Sequence, residues 1–224
     1  MEQVVLEGEV RDVNRALRAL PPGASALVKD PRGRHNIAVG LELPIQVTID
    51  GPAGYYTGGL GSQADITVNG PAGWGAGENL MSGRVHVRGD ASQACAASAH
   101  GGLVVVDGNA SLRAAISLKG ATLAVGGSVG AFCGFMAQAG TVLIGGDAGD
   151  GLGDSLYEAV IYVAGTIKGL GNDARIEELT EADVATVQNL VKRCGFDHID
   201  PENVSRVASA RTLYHFSTHH SASY

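Results

Sequence analysis

The side chains able to do chemistry fall into a few small sets. Three cysteines stand at 95, 133 and 194. No C-x-x-C occurs, so neither a zinc ribbon nor a thioredoxin-type redox pair is indicated. His219 and His220 adjoin in a polar C-terminal stretch, with His198 and His215 the nearest further candidates. No ligand spacing ties the four together, and tail histidines are the simpler reading. Gly145-Gly146-Asp147-Ala148-Gly149-Asp150 has the flavour of a calcium-binding β-roll, but Asp does not return every nine residues, so turn chemistry accounts for it better. Gly149-Asp150-Gly151-Leu152-Gly153 is a literal G-x-G-x-G. There is no G-x-G-x-x-G and no Gly-Lys, hence no dinucleotide fingerprint and no P-loop.

Two further sets bear on carbohydrate chemistry. Tyr55, Tyr56 and Trp74 form an aromatic group suited to a sugar ring or to a protein partner. Glycoside cleavage also needs a pair of carboxylates across the scissile bond. Glu78, Asp154 and Asp173 are in phase with one another, but Glu78 is remote and only Asp154 and Asp173 are neighbours. No Ser/His/Asp or Cys/His set emerges. Sequence reasoning therefore assigns no catalytic, cofactor-binding or metal-ligating residue to this chain.

What must position these residues is visible in the composition. Gly makes up 33 of 224 residues, about twice the usual ~7%. Between Ile45 and Gly171 lie 28 of those 33 glycines and only 14 charged residues. The flanks are charge-rich. Net charge is −7, without the basic footprint of a nucleic-acid binder. No apolar run approaches the ~20 residues of a membrane-spanning helix. The start, Met1-Glu2-Gln3-Val4-Val5-Leu6-Glu7, lacks the basic and apolar regions of a secretory signal. The expected location is the cytoplasm.

Within the Gly-rich middle the chain repeats. Gly recurs at 51, 70, 89, 108, 127, 146 and 165, every 19 residues. Four residues before each stands Val47, Ile66, Val85, Val104, Leu123, Val142 or Ile161. Two before it stands Ile49, Val68, Val87, Val106, Val125, Ile144 or Val163. Two after it comes a third column: Ala53, Ala72, Ala91, Ala110, Val129, Ala148 and Ile167. A fourth column, seven after the Gly, is small: Gly58, Gly77, Ala96, Ala115, Gly134 and Gly153.

Alternating β-branched residues ended by Gly read as a short strand with one buried face. The unit is too short for a helical pair and too Gly-rich for helices. The solution is an all-β solenoid, a right-handed parallel β-helix of about seven 19-residue coils, with equivalent residues ~4.8 Å apart along a rod roughly 30 Å long. Cys95 and Cys133 then share a column two coils apart, too far for a disulfide, with Ala114 between them. Asp65 and Arg84 stack, as do Arg88 and Asp107. Asp90, Asn109, Ser128 and Asp147 form a polar column able to bond to turn backbone.

A parallel solenoid leaves unpaired backbone at both ends, and the charged flanks supply caps. Residues 1–44 read as an N-terminal cap with a short helix over 12–20, stopped by Pro21-Pro22-Gly23. Residues 45–171 are the β-helix. Residues 172–224 hold a capping helix and an extended tail. Thr180-Glu181-Ala182-Asp183 is an N-cap pattern, and the helix it opens runs to Cys194, with Gly195 as its stop. Val184, Val187, Leu190 and Val191 share one face. Thr218 to Tyr224 read as disordered when the chain is alone.

The segments Gly54-Tyr55-Tyr56-Thr57-Gly58-Gly59-Leu60-Gly61 and Gly73-Trp74-Gly75-Ala76-Gly77-Glu78-Asn79-Leu80-Met81-Ser82-Gly83 resemble the G-x-G-x-G repeats at the C-terminal end of the large chain of glutamate synthase, where they form a right-handed β-helix. The resemblance covers roughly 45–171. The β-helical scaffold of formylmethanofuran dehydrogenase is similar in its repeats. The unbroken period and the ending Val207-Ala208-Ser209-Ala210-Arg211-Thr212-Leu213-Tyr214-His215-Phe216 look most like the β-helical subunit of methylamine–glutamate N-methyltransferase, or N-methylglutamate synthase.

That resemblance implies a non-catalytic subunit of a cytoplasmic hetero-oligomer that converts methylamine and L-glutamate to N-methyl-L-glutamate and ammonia. One implied partner is a class II glutamine amidotransferase-like subunit. The other is a glutamate synthase-like subunit that holds FMN and an iron–sulfur cluster. The chain itself is expected to hold no cofactor and to brace the two, bordering a tunnel for the amine. No nucleic acid or membrane is implied. The alternatives are a formylmethanofuran dehydrogenase-type scaffold and a free-standing β-helical carbohydrate-active protein.

Overall fold

The computed structural model describes residues 3–211. Its strands are β1 (Val4–Leu6), β2 (Ser25–Lys29), β3 (Gln46–Asp50), β4 (Asp65–Val68), β5 (Arg84–Val87), β6 (Leu103–Val106), β7 (Lys119–Val125), β8 (Ala139–Ile144), β9 (Val160–Val163), β10 (Ala174–Glu177) and β11 (Ser205–Ser209). Helix α1 (Val10–Arg18) lies between β1 and β2, and α2 (Glu181–Cys194) between β10 and β11. All eleven strands form one sheet, in the order β1 to β9, then β11, then β10. The first nine are parallel and pair strictly with their sequence neighbours. This is a β-solenoid of about eight turns.

The expected columns are the observed registers. Val47 pairs with Ile66, Ile66 with Val85, Val85 with Val104 and Val104 with Leu123. The alanine column forms its own series of parallel bridges from Ala53 to Ile167, so each coil is tied to the next at a second edge. Residues of both strand columns are essentially inaccessible. Each adds roughly 1.5–3 kcal/mol of burial to a core running the length of the rod.

The pairing departs locally from the 19-residue period. Ala26 pairs with Val47, 21 residues on, so the spiral starts upstream of residue 45 and gains a coil that a 19-residue search passes over. Between β7 and β8 the register shifts at Lys119/Thr122, an irregularity that leaves the later strand pairs in phase.

The small column has two causes. Its members are left-handed, with φ of 68° at Gly77 and 58° at Ala96. A side-chain carbon at Gly77 would also lie 2.8 Å from Val104 Cγ2. The column points at the strand ladder of the following coil and has room for nothing larger than Ala.

At the far end the direction reverses. β11 pairs antiparallel with β9, and β10 antiparallel with β11, which stops propagation of the parallel ladder. α2 then lies across the outer face of the sheet. Val187, Leu190, Val191, Phe196 and Ile199 pack on Leu103, Val105, Ala124, Leu143 and Tyr162. The helix starts and stops as its sequence predicts. Thr180 and Asp183 form a reciprocal capping box, and Gly195 caps in the left-handed conformation at φ 74°. α1 covers 10–18, two residues earlier at each end than the 12–20 expected. Glu9 sits at its N-cap position without a side-chain cap bond.

Candidate functional site

Each candidate set has a definite place on the spiral. Cys95 and Cys133 share the inward column with Ala76, Ala114 and Leu152, all inaccessible. Burial pushes both thiols up to about 12, with Cys95 adding to the rise at Cys133. At neutral pH they are protonated packing groups, not nucleophiles. Cys194, at the end of α2, is partly buried, and its thiol is also raised by burial.

His215, His219, His220 and the stretch from Thr218 to Tyr224 lie outside the described residues. His198 is engaged with the rod: its Nε2 stands 2.9 Å from the Gly126 carbonyl oxygen, and its ring meets Phe196. Among the described residues no group of three or more His, Cys, Asp or Glu is arranged to hold a metal. Asp147 and Asp150 do turn and surface work. Asp147 accepts from the Thr166 backbone N–H at 2.7 Å, and Asp150 pairs with Lys168.

Of the aromatic set, Tyr55 and Trp74 are brought together and His35 joins them, while Tyr56 stands apart, its hydroxyl 3.4 Å from Asn79 Nδ2. His35, Tyr55 and Trp74 stack in series, with centroids 4.2 Å and 5.4 Å apart and planes within 20°. The rings lie over one another along the rod. Tyr55 has a ring on each side, and Trp74, at the end of the series, is 49% exposed. Of the carboxylates, Asp154 accepts from Ser155 and from Asn172, and Asp173 pairs with Arg211. Glu78 lies elsewhere on the rod, and burial raises its carboxyl above the usual range.

The polar column behaves as expected. Asp90 accepts from the Asn109 backbone N–H, Asn109 from Ser128, Ser128 from Asp147 and Asp147 from Thr166, at 2.7–2.9 Å. Each short side chain caps the same position one coil on, an outer ladder beside the strand ladder. The expected Arg88–Asp107 stack is different in detail. Asp107 is held at 2.7 Å by His86 Nε2, and His86 Nδ1 lies 3.1 Å from Arg84.

Sequence reasoning missed the most heavily bonded polar group. Asp183 accepts from the Tyr162 hydroxyl at 2.5 Å and from Arg206 Nε at 3.0 Å through one carboxylate oxygen. Its other oxygen accepts from the Thr180 hydroxyl and N–H. Burial alone would raise this carboxyl, but the bonds from Thr180, Tyr162 and Arg206 outweigh it and hold it well below the usual range. Arg206 also pairs with Glu177. The signal in the sequence was Asp183 at the third position of α2. Nothing local pointed to Tyr162, on β9 beneath α2, or to Arg206, on the reversed β11.

The polar column holds coil to coil, and the Asp183 group holds α2 to the sheet. No family model matches the chain. Protein GlxC of Rhizobium meliloti (strain 1021) is 47% identical over 218 residues, covering 96% of this chain and 96% of that protein. Likeness of that degree along nearly the whole spiral, cap and helix included, places the chain in the family of Protein GlxC.

Proposed function

We propose that this chain is a non-catalytic structural subunit of a glutamate synthase-like complex that forms N-methyl-L-glutamate and ammonia from methylamine and L-glutamate. It braces a class II glutamine amidotransferase-like subunit against an FMN- and iron–sulfur-containing synthase-like subunit, and its coils border the path of the transferred amine. The observation that carries this reading is the continuous parallel pairing from β2 to β9. Such a ladder offers long preformed faces with little left to order on association, which favours a large permanent interface. The likeness of its repeats to the glutamate synthase β-helix supplies the chemistry of the complex.

The test is affinity purification of the tagged full chain from its native host, with mass identification of what accompanies it. The two named subunits should copurify, and the assembly should make N-methylglutamate. The chain expressed alone should bind no flavin and turn over nothing. Partners carrying molybdenum or tungsten would favour the formylmethanofuran dehydrogenase-type scaffold. A flavin-bearing, active lone chain would overturn the proposal.

A further inference from the structure

One side of the rod is built from six stacked turn segments: 55–60, 74–79, 93–98, 112–117, 131–136 and 150–155. They are joined coil to coil by backbone bonds such as Tyr56 N–H to Trp74 O, Leu60 N–H to Glu78 O and Gly77 N–H to Thr57 O. This side carries Tyr55, Leu60, Trp74, Leu112, Phe132 and Met136, each 43–50% exposed. An apolar strip of this kind marks an interface. Its relief is uneven. The first two segments and the fourth and fifth bear large exposed side chains. The third shows only Gln93, Ala94 and Ser98 at its surface, with Ala97 just beneath.

The charges are placed symmetrically about that low centre. Across the first five segments the charged residues are Glu78, in the second, and Arg113, in the fourth. Among the described residues neither side chain has a hydrogen-bond or ion-pair partner within the chain. Glu78 is half-buried, and Arg113 is exposed.

A twofold axis through the third segment, perpendicular to this side, reverses both the rod direction and the order within each segment. It sets Glu78 opposite Arg113 of the other copy, and Arg113 opposite Glu78. It also sets Tyr55 opposite Met136 and brings Leu60 beside Phe132. At the centre Ala94 meets Ala97 and Gln93 meets Ser98, so the backbones can approach. The charges and the outer apolar side chains are thus matched, as an isologous contact requires, while Trp74 falls opposite Ser117 and Leu112 opposite Asn79.

We propose that the chain forms a twofold homodimer through this face, with the two rods antiparallel. This goes beyond the bracing role and does not depend on it. The test is sedimentation velocity on the purified full chain and on charge variants at these two sites, with thermal melting as the control for folding. The wild type should sediment as a dimer at micromolar concentration. Glu78→Arg or Arg113→Glu alone should weaken dimerisation at least ~10-fold, since each reversal acts twice in a symmetric contact. The double reversal should restore it. A monomeric wild type, a dimer indifferent to the single reversals, or a double variant no better than the singles would overturn the proposal. None of those results bears on whether catalytic subunits copurify.

Discussion

Among the polar side chains described, Asp183 has the most to lose. It is at once the cap of α2 and the acceptor for Tyr162 and Arg206. Asp183→Asn keeps the shape but removes the charge. Its cost should be about 2–4 kcal/mol, a cap plus a charge-assisted bond, read as a lowered midpoint in urea unfolding. The pH dependence has a fixed sign. The folded-state carboxyl lies below its unfolded value, so its contribution is complete above the usual carboxylate range. It is lost as pH falls through the depressed folded value. Acid titration should therefore destabilise the wild type more steeply than the Asn variant. The thiols give a second residue-level expectation. Cys95 and Cys133, raised to about 12 by full burial, should resist iodoacetamide until the rod unfolds, while partly buried Cys194 alkylates first. Mass mapping of native and denatured samples checks the order, and early labelling of Cys95 would contradict the packed column.

For the elements, most of the spiral was legible because one period governed it. A strand column needs β-branched residues inward, a corner needs Gly, and identical coils repeat both at a fixed step. Val47 through Ile161 therefore declared their stacking in sequence. α2 was legible to the residue because its stop signals are local: Thr180 and Asp183 at one end, Gly195 at the other. What escaped was whatever departs from the period or joins distant segments. The coil between β2 and β3 is 21 residues long, and β11 returns antiparallel across β9. The small column was visible, but the atom that crowds it was not, because it belongs to the next coil. Gly77→Ala places a methyl against Val104 on left-handed backbone and should cost about 1–3 kcal/mol from overpacking in addition to the backbone strain. Ala115→Gly in the same column relieves left-handed backbone and should cost far less. Comparing the two melting temperatures separates crowding from backbone conformation, and equal losses would refute the packing account.

Over the whole molecule, stability in a stacked rod is a sum of coil and nearest-neighbour terms. The middle coils have neighbours on both sides, and β6 to β9 carry α2 on their outer face as well. The N-terminal end is different: β1 is a three-residue edge strand with Val4 and Val5 exposed, joined only to β2. Opening should therefore begin there and run inward, while the reversed strands at the other end, tied by the Asp183–Arg206–Glu177 group, hold longer. Two equivalent truncations in one column make this testable. Val104→Ala and Val47→Ala each delete the same two carbons from fully buried sites, a loss of roughly 1–3 kcal/mol in transfer and cavity terms. In native-state hydrogen exchange Val104→Ala should lower protection throughout β5 to β8, because every opening that exposes those amides breaks its coil. Val47→Ala should lower protection in β2 and β3 and leave β7 and β8 nearly unchanged. A uniform loss across all strands from either variant would mean that the rod opens as a single unit and that the nearest-neighbour description fails.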